Sequence, residues 1–387
     1  MEMAMASQID VFHECFDQVG DPRVAGRTIH PLNSILFLVV SAVIAGADGP
    51  DEIESFGGEK LDWLSKFADF EAGIPSHDTI TRVLSLIQPA EFQKALLQWH
   101  AHLCEINWDH ASKDDNRPVH VAIDGKTVRG SYTDAEKSDA IHIVSAWATE
   151  NGVTLGQTEV DSKSNEITAI PELLDLIDLR NSIVTLDAMG CQKSIAEKIV
   201  EGGGDYLFAV KDNHPKLCAA IAEHFEMAHN DGLTAHGVRA MTTTGKQAAR
   251  EEERFYATCP IPKALRELTD QWKGAKSICQ ANTCTTRGDR QSSDVRYYIS
   301  SRPARVHEFS NCARSHWSIE SMHWVLDVVF HEDSSRLRTK NATSNMSFAR
   351  RFVTTLLKRD TRKKSLRRKR KIAGWNTEFL EKLLFAA

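Results

Sequence analysis

The sequence predicts an α/β fold: a mixed sheet with flanking helices, preceded by an all-helical N-terminal domain and interrupted by an insertion. Three observations lead there. Up to about residue 105 apolar residues recur at helical spacing, after Trp108 they alternate as in strands, and from Glu166 to Lys211 short helical and strand-like runs take turns.

Residues 1–105 read as the helical domain. Asp21-Pro22-Arg23 and His30-Pro31 mark turns, and Gly49-Pro50 and Gly57-Gly58 divide the stretch behind them into short helices. Ser76, Asp78 and Thr79 follow Pro75 as a helix start, with Ile80, Val83, Leu84 and Ile87 behind them at helical spacing. A first part of the α/β core spans 106–214. The polar stretch 111–118 leads into VHVAIDGKTVRG, where Val119, Val121 and Ile123 alternate. Runs 141–149 and 152–160 flank Asn151-Gly152, a strong hairpin signal. A helix over 166–177, a strand over 182–189, a helix over 192–200 ending at Gly202-Gly203-Gly204, and a strand over 205–211 follow. A meander and then helix–strand alternation imply a mixed sheet covered by helices.

Residues 215–294 read as an insertion subdomain: a helix over 217–228, Gly/Thr-rich sequence, and strands around 251–259 and 276–286. The strand VRYYISS (295–301) opens the second part of the core, 295–349, which includes a helix over 307–330. Most of 341–359 is helical, and 350–387 forms a basic C-terminal segment.

With 387 residues, 42% hydrophobic and 26% charged, the chain has ample material for a core, which excludes disorder and fibrous repeats as its main state. The longest apolar run, Ile35 to Ala47, is interrupted by Ser41 and Gly46 and falls short of the roughly 20 residues that cross a bilayer, so no membrane partner is expected. The N-terminus lacks a basic region followed by an apolar core, hence no secretory signal. Eight scattered cysteines without C-x-x-C pairs fit a reducing cytoplasm. Cys279 and Cys284 have no second pair to complete a zinc site.

Charge is sorted along the chain. Net charge is −6, yet the segment 350–371 holds twelve Lys/Arg against a single acid, Asp360. Such a run is the electrostatic footprint of a polyanion partner, and a solvated tail is its other reading. Arg350, Arg351, Arg362, Lys363, Lys364, Arg367, Arg368, Lys369, Arg370 and Lys371 are the candidate DNA-phosphate contacts there.

Asp124 ends the first core strand and Asp187 ends SIVTLDAM, each followed by a small residue. Acids at strand ends of an open sheet face the ligand crevice; capping a turn is the alternative for each alone. In HWSIESMHWVLDVVFHED, His316, Glu320, His323 and Asp327 fall at i, i+4, i+7 and i+11, one polar stripe on a helix that also carries Trp317 and Trp324. A zinc reading of that stripe lacks the HExxH spacing. Three carboxylates converging from two strand ends and a helix would suit two Mg²⁺ or Mn²⁺ ions, hard cations that favour oxygen. Two such ions activate a nucleophilic oxygen and stabilise the leaving one in displacement at phosphorus. Lys126 and Arg129, just past Asp124, are candidate phosphate contacts, while the P-loop glycine that Gly125-Lys126-Thr127 would need is His120.

At these residues the chain resembles the insertion-sequence transposases of the H-repeat-associated type, within the DDE transposases with a ribonuclease-H-like catalytic core. The resemblance rests on PSHDTITRVLS (75–85), AIDGKTVRGS (122–131), KSNEITAIPELL (163–174), TLDAMGCQK (185–193), GGDYLFAVKDN (203–213) and HWSIESMHWVLDVVFHED (316–333). It implies a ribonuclease-H-like core with Asp124, Asp187 and Glu320 as catalytic and metal-binding triad. It also implies cleavage at transposon ends and attack of a 3′-hydroxyl on target DNA. Broader relatives show a Tyr, Arg, Glu, Lys signature on the glutamate helix; here those places hold Ala313, His316, Glu320 and Asp327. The Arg and Lys roles do not carry over, which leaves His316, with Arg314 nearby, as a weaker phosphate contact. Lys211 belongs to the candidate DNA-binding set; where many relatives have Gln after Asn213, this chain has His214.

The expected function is therefore an insertion-sequence DNA transposase with terminal repeats and target DNA as partners, a homodimer when two ends are synapsed. It would be bacterial and cytoplasmic, nucleoid-associated when DNA-bound, with the N-terminal helices recognising ends. A domesticated DNA-binding protein without transposition, or a metal-dependent nuclease without strand transfer, are the rival readings.

Overall fold

The computed structural model describes residues 2–24, 26–103, 117–131, 140–160, 165–247 and 250–385. Trp108, most of the polar stretch 111–118 and Lys163-Ser164 lie outside the described residues. Six helices come first: α1 (Glu2–Phe16), α2 (Leu32–Ala45), α3 (Pro50–Glu59), α4 (Leu61–Leu64), α5 (His77–Leu86) and α6 (Pro89–Leu103). The apolar run seen in the sequence is α2, buried on nearly all sides as a core helix. Gly46 ends it at φ 120°, and Ser76 caps α5 by accepting from the Thr79 N–H. Among the described residues no single helix is long and apolar enough to cross a membrane.

The core begins with β1 (Val119–Thr127), β2 (His142–Ala148) and β3 (Val153–Val160), the last two joined through Gly152 at φ 65° as the Asn-Gly pair predicts. Then come α7 (Glu166–Asp175), β4 (Ser182–Leu186), α8 (Lys193–Glu201), β5 (Asp205–Val210) and α9 (Pro215–Asp231). They are followed by β6 (Arg239–Gln247), β7 (Arg250–Pro260), the short α10 (Arg266–Thr269), β8 (Ser277–Arg287) and β9 (Arg290–Ser300). The chain closes with α11 (Val306–His316), α12 (Ser318–Val329), α13 (Lys340–Arg359), α14 (Leu366–Trp375) and α15 (Thr377–Phe385).

All nine strands form one sheet in the order β3-β2-β1-β4-β5-β9-β8-β7-β6. β2 runs antiparallel to β1 and β3, whereas β1, β4 and β5 are parallel. That order and polarity in the first five strands is the ribonuclease-H-like core. Central β4 is buried at all five positions because helices cover both faces. Ile170, Leu173, Ile195 and Ile221 of α7, α8 and α9 pack on one face. On the other, Phe309 and Cys312 of α11 meet Ile183, Leu207 and Tyr298, and α12 and α13 join the N-terminal helices in one continuous core.

Several boundaries differ from the sequence reading. The insertion strands extend the core sheet, since β9 pairs with β5, and the expected border at 294 falls inside β9. The turn preceding that strand is Gly288, at φ 57°. β6 falls in the Gly/Thr-rich stretch, where Thr242, Thr243, Thr244 and Gly245 resemble a loop; it is an edge strand with little to bury. The helix over 307–330 is two helices meeting at Trp317. The border at 349/350 lies within α13, and α13, α14 and α15 pack against the N-terminal helices, so 350–385 is an integral part of the core.

Candidate active site

Asp124 lies within β1, which stays paired with β2 as far as Thr127, rather than at the strand end the sequence suggests; the parallel match of Ala122 with Thr185 puts it in register with Asp187, just past the end of β4. α12 packs across β1 and carries Glu320 in its first turn. All three carboxylates line one cavity of about 190 Å³, together with Thr185, Lys211, Arg296 and His316. A larger groove of about 900 Å³ shares Arg296, Trp317 and Glu320 with it and runs out along the insertion strands.

The electrostatics follow from crowding. Burial pushes the Asp124 carboxyl up to about 7, opposed by the Gly125 N–H and reinforced by Glu166, Asp187 and Glu320. Burial also raises Glu320, and Arg296 opposes it. Asp187 accepts from the N–H groups of Met189 (3.0 Å) and Gly190 (3.2 Å), which fixes its carboxylate over the turn. Among the described residues no three Asp, Glu, His or Cys side chains already close around a single point. The donor set fits a hard divalent cation all the same: it is oxygen-only, and a cation between the carboxylates offsets both the burial and the added mutual repulsion that raise Asp124.

The supporting groups were largely invisible in the sequence. His142 Nε2 and Glu166 Oε1 meet at 2.7 Å beside the Asp124 backbone. A Cβ at Gly125 would lie 2.2 Å from Glu166 Oε1 and 2.4 Å from His142 Nε2, so any side chain there must displace the pair. His323 Nδ1 stands 3.6 Å from Asp124 Oδ2, and burial holds this imidazole down at about 3, so it is neutral. Thr185 Oγ1 links His120 Nε2 (2.9 Å) to His316 Nδ1 (2.8 Å). The signal for Glu166 and His142 lay in the motif around 163–174 and in the strand 141–149, but nothing in the spacing tied either to Asp124.

Of the candidate phosphate contacts, several are engaged inside the protein. Lys126 is 8% exposed and pairs with Asp327 (2.8 Å), Asp333 (3.0 Å) and Glu332 (3.5 Å), so it is an internal tie. Burial holds His316 at about 4; it lines the cavity as a neutral group, without the charge expected of it. Arg350 donates to the Asp48 carbonyl, Arg351 pairs with buried Glu332 at 3.3 Å, and Lys369 donates to the Leu357 and Asp360 carbonyls. Arg370 donates to the carbonyls of Val43, Ala47 and Val329. These four side chains are buried because they satisfy helix-end carbonyls and a buried carboxylate, which excludes them as surface contacts here. Arg129, Lys211, Arg362, Lys363, Lys364, Arg367, Arg368 and Lys371 are exposed.

A ribonuclease-H-like sheet whose adjacent parallel strands β1 and β4 bring two acids into register beside a third from a helix defines a class: the nucleic-acid-cleaving enzymes of that fold. Residues 115–356 match the family described as "Transposase DDE domain", and residues 13–100 match "DDE_Tnp_1-associated". The chain belongs to this DDE transposase family. It is 42% identical over 372 residues to "Putative transposase YncI" of Escherichia coli O157:H7, covering 95% of this chain and 92% of that protein. It is also 42% identical over 374 residues to the "H repeat-associated putative transposase YhhI" of Escherichia coli K12, covering 95% of each. Among solved structures, one of a piggyBac transposase synaptic complex with hairpin DNA aligns at TM-score 0.40 and 8% identity, over 99% of this chain and 82% of that one. Membership of the family brings DNA as a partner and dependence on divalent metal.

Proposed function

We propose that this chain is an insertion-sequence transposase that cleaves at the element's terminal repeats and joins the freed 3′-hydroxyl to target DNA, using Asp124, Asp187 and Glu320. The observation that carries this reading is the shared cavity of the three carboxylates. Those side chains would hold two Mg²⁺ or Mn²⁺ ions, which when bound activate the attacking oxygen and stabilise the leaving oxygen.

The chain's own groups do the rest. Asp124 on β1 and Asp187 just past β4 hold the site together, and the exposed Glu320 orients the attacking water or 3′-hydroxyl from the helix side. His323 and the His142–Glu166 pair keep the Asp124 stretch of β1 in place. Lys211 contributes positive charge to the cavity, and exposed Arg129, Arg362, Lys363, Lys364, Arg367, Arg368 and Lys371 contact DNA phosphates without reading bases. Bringing two ends together calls for a homodimer.

Strand transfer with pre-cut terminal repeats and a plasmid target tests the reading. Joined product that requires Mg²⁺ is expected. Cleavage of intact repeats without joining would identify a nuclease, and repeat binding with neither reaction a retained DNA-binding protein.

A further inference from the structure

A cavity lined by carboxylates must still admit a phosphodiester, itself an anion, so cations on its wall decide how that group is held. Among the described residues lining the cavity the cations are Lys211 and Arg296, because His316 is neutral. Lys211 is an exposed side chain beyond the end of β5. Arg296 is different. It projects from β9, donates through Nε to Asp294 Oδ2 at 2.7 Å, and its guanidinium carbon lies 4.3 Å from the ring centroid of Trp317. A planar fork held by a carboxylate on one side and an indole face on another loses little freedom when it binds, and its remaining N–H groups match phosphate oxygens. Arg296 also stands at the junction of the cavity and the larger groove, where a strand passing from one to the other must run by it.

We propose that Arg296, clamped between Asp294 and Trp317, binds the DNA phosphate presented to Asp124, Asp187 and Glu320. A phosphate contact on the cavity wall is thereby supplied by β9, the strand that joins β8 to core strand β5, which gives the extended sheet a direct part in the site. This inference rests on the DNA-cleaving reading above.

The test is a cycle between protein and substrate. Binding is measured by fluorescence anisotropy over a range of salt for the full-length parent, Arg296→Ala and Arg296→Lys. Two duplexes carrying the terminal repeat are used, one natural and one with an uncharged methylphosphonate at the repeat–flank junction. Arg296→Ala should bind the natural duplex about tenfold more weakly. Its log–log salt slope should be smaller by about 0.9. On the methylphosphonate duplex it should match the parent. Arg296→Lys should show an intermediate loss confined to the natural duplex, and it carries the comparison if the alanine variant does not fold. An equal loss on both duplexes, or no loss on either, overturns the proposal. A parent that binds but never cuts refutes the enzymatic reading, whereas a parent that cuts without this coupling refutes the role of Arg296 alone.

Discussion

Lys126 Nζ lies 2.8 Å from Asp327 Oδ1, tying β1, which carries Asp124, to α12, which carries Glu320. Asp333 at 3.0 Å and Glu332 at 3.5 Å complete the acidic surround, and Glu332 in turn meets Arg351 at 3.3 Å. The relative position of two candidate catalytic carboxylates thus depends on a buried charge network with members on β1, α12, the turn behind it and α13.

Lys126→Met takes a counter-charge from buried Glu332, which keeps Arg351, and from the partly exposed Asp327 and Asp333. Solvent screens part of that loss, so the cost should be about 2–3 kcal/mol, which urea unfolding would read. Arg129→Ala, an exposed change beside it, should leave stability within about 0.5 kcal/mol of the parent.

The basic segment divides into two kinds of residue. Arg370→Ala removes donors from the carbonyls of Val43, Ala47 and Val329 and should lower Tm by several degrees. Arg368→Ala should leave Tm alone, weaken DNA binding and reduce the salt slope by about 0.9. Equal effects of the two on Tm would contradict the burial pattern.

Asp124 should make stability depend on pH in metal-free buffer. Its carboxyl is moved from an ordinary 3.8 to about 7, so between those values the unfolded chain has released a proton that the folded chain retains. Stability therefore falls as pH rises through that window. Asp124→Asn should be more stable than the parent above pH 7, by on the order of 2–4 kcal/mol, with the difference shrinking towards pH 4. Mg²⁺ should narrow the gap by stabilising the parent.

Gly125→Ala would drive a methyl group into the Glu166–His142 pair, at 2.2 and 2.4 Å from their polar atoms. Displacing that pair shifts the part of β1 that presents Asp124, so cleavage should fall at least tenfold while DNA affinity is kept. Unchanged cleavage would show that the pair has no part in placing Asp124.

Most of the strands, the hairpin at Asn151-Gly152 and the candidate acids could be read from the sequence because each leaves a local mark: alternation, a turn dipeptide, an acid before a small residue for Asp124 and Asp187, a polar stripe at helical spacing for Glu320. What it hid is non-local. The fate of Arg350, Arg351, Lys369 and Arg370 depends on carbonyls and a carboxylate brought from as far away as α2, and a run of charges reads as solvated until those partners are seen. Lys126 looked like a DNA contact because its acids lie some 200 positions further on. Arg296 lies in the strand VRYYISS (295–301), with nothing in its neighbours to point at Asp124.

The central claim is tested most directly by cleavage of a terminal-repeat duplex in Mg²⁺ by the parent and by Asp124→Asn, Asp187→Asn and Glu320→Gln, with duplex affinity measured alongside. Each variant should bind as the parent does and cut slower by about three orders of magnitude or more. Any one of the three cutting at the parental rate would contradict it.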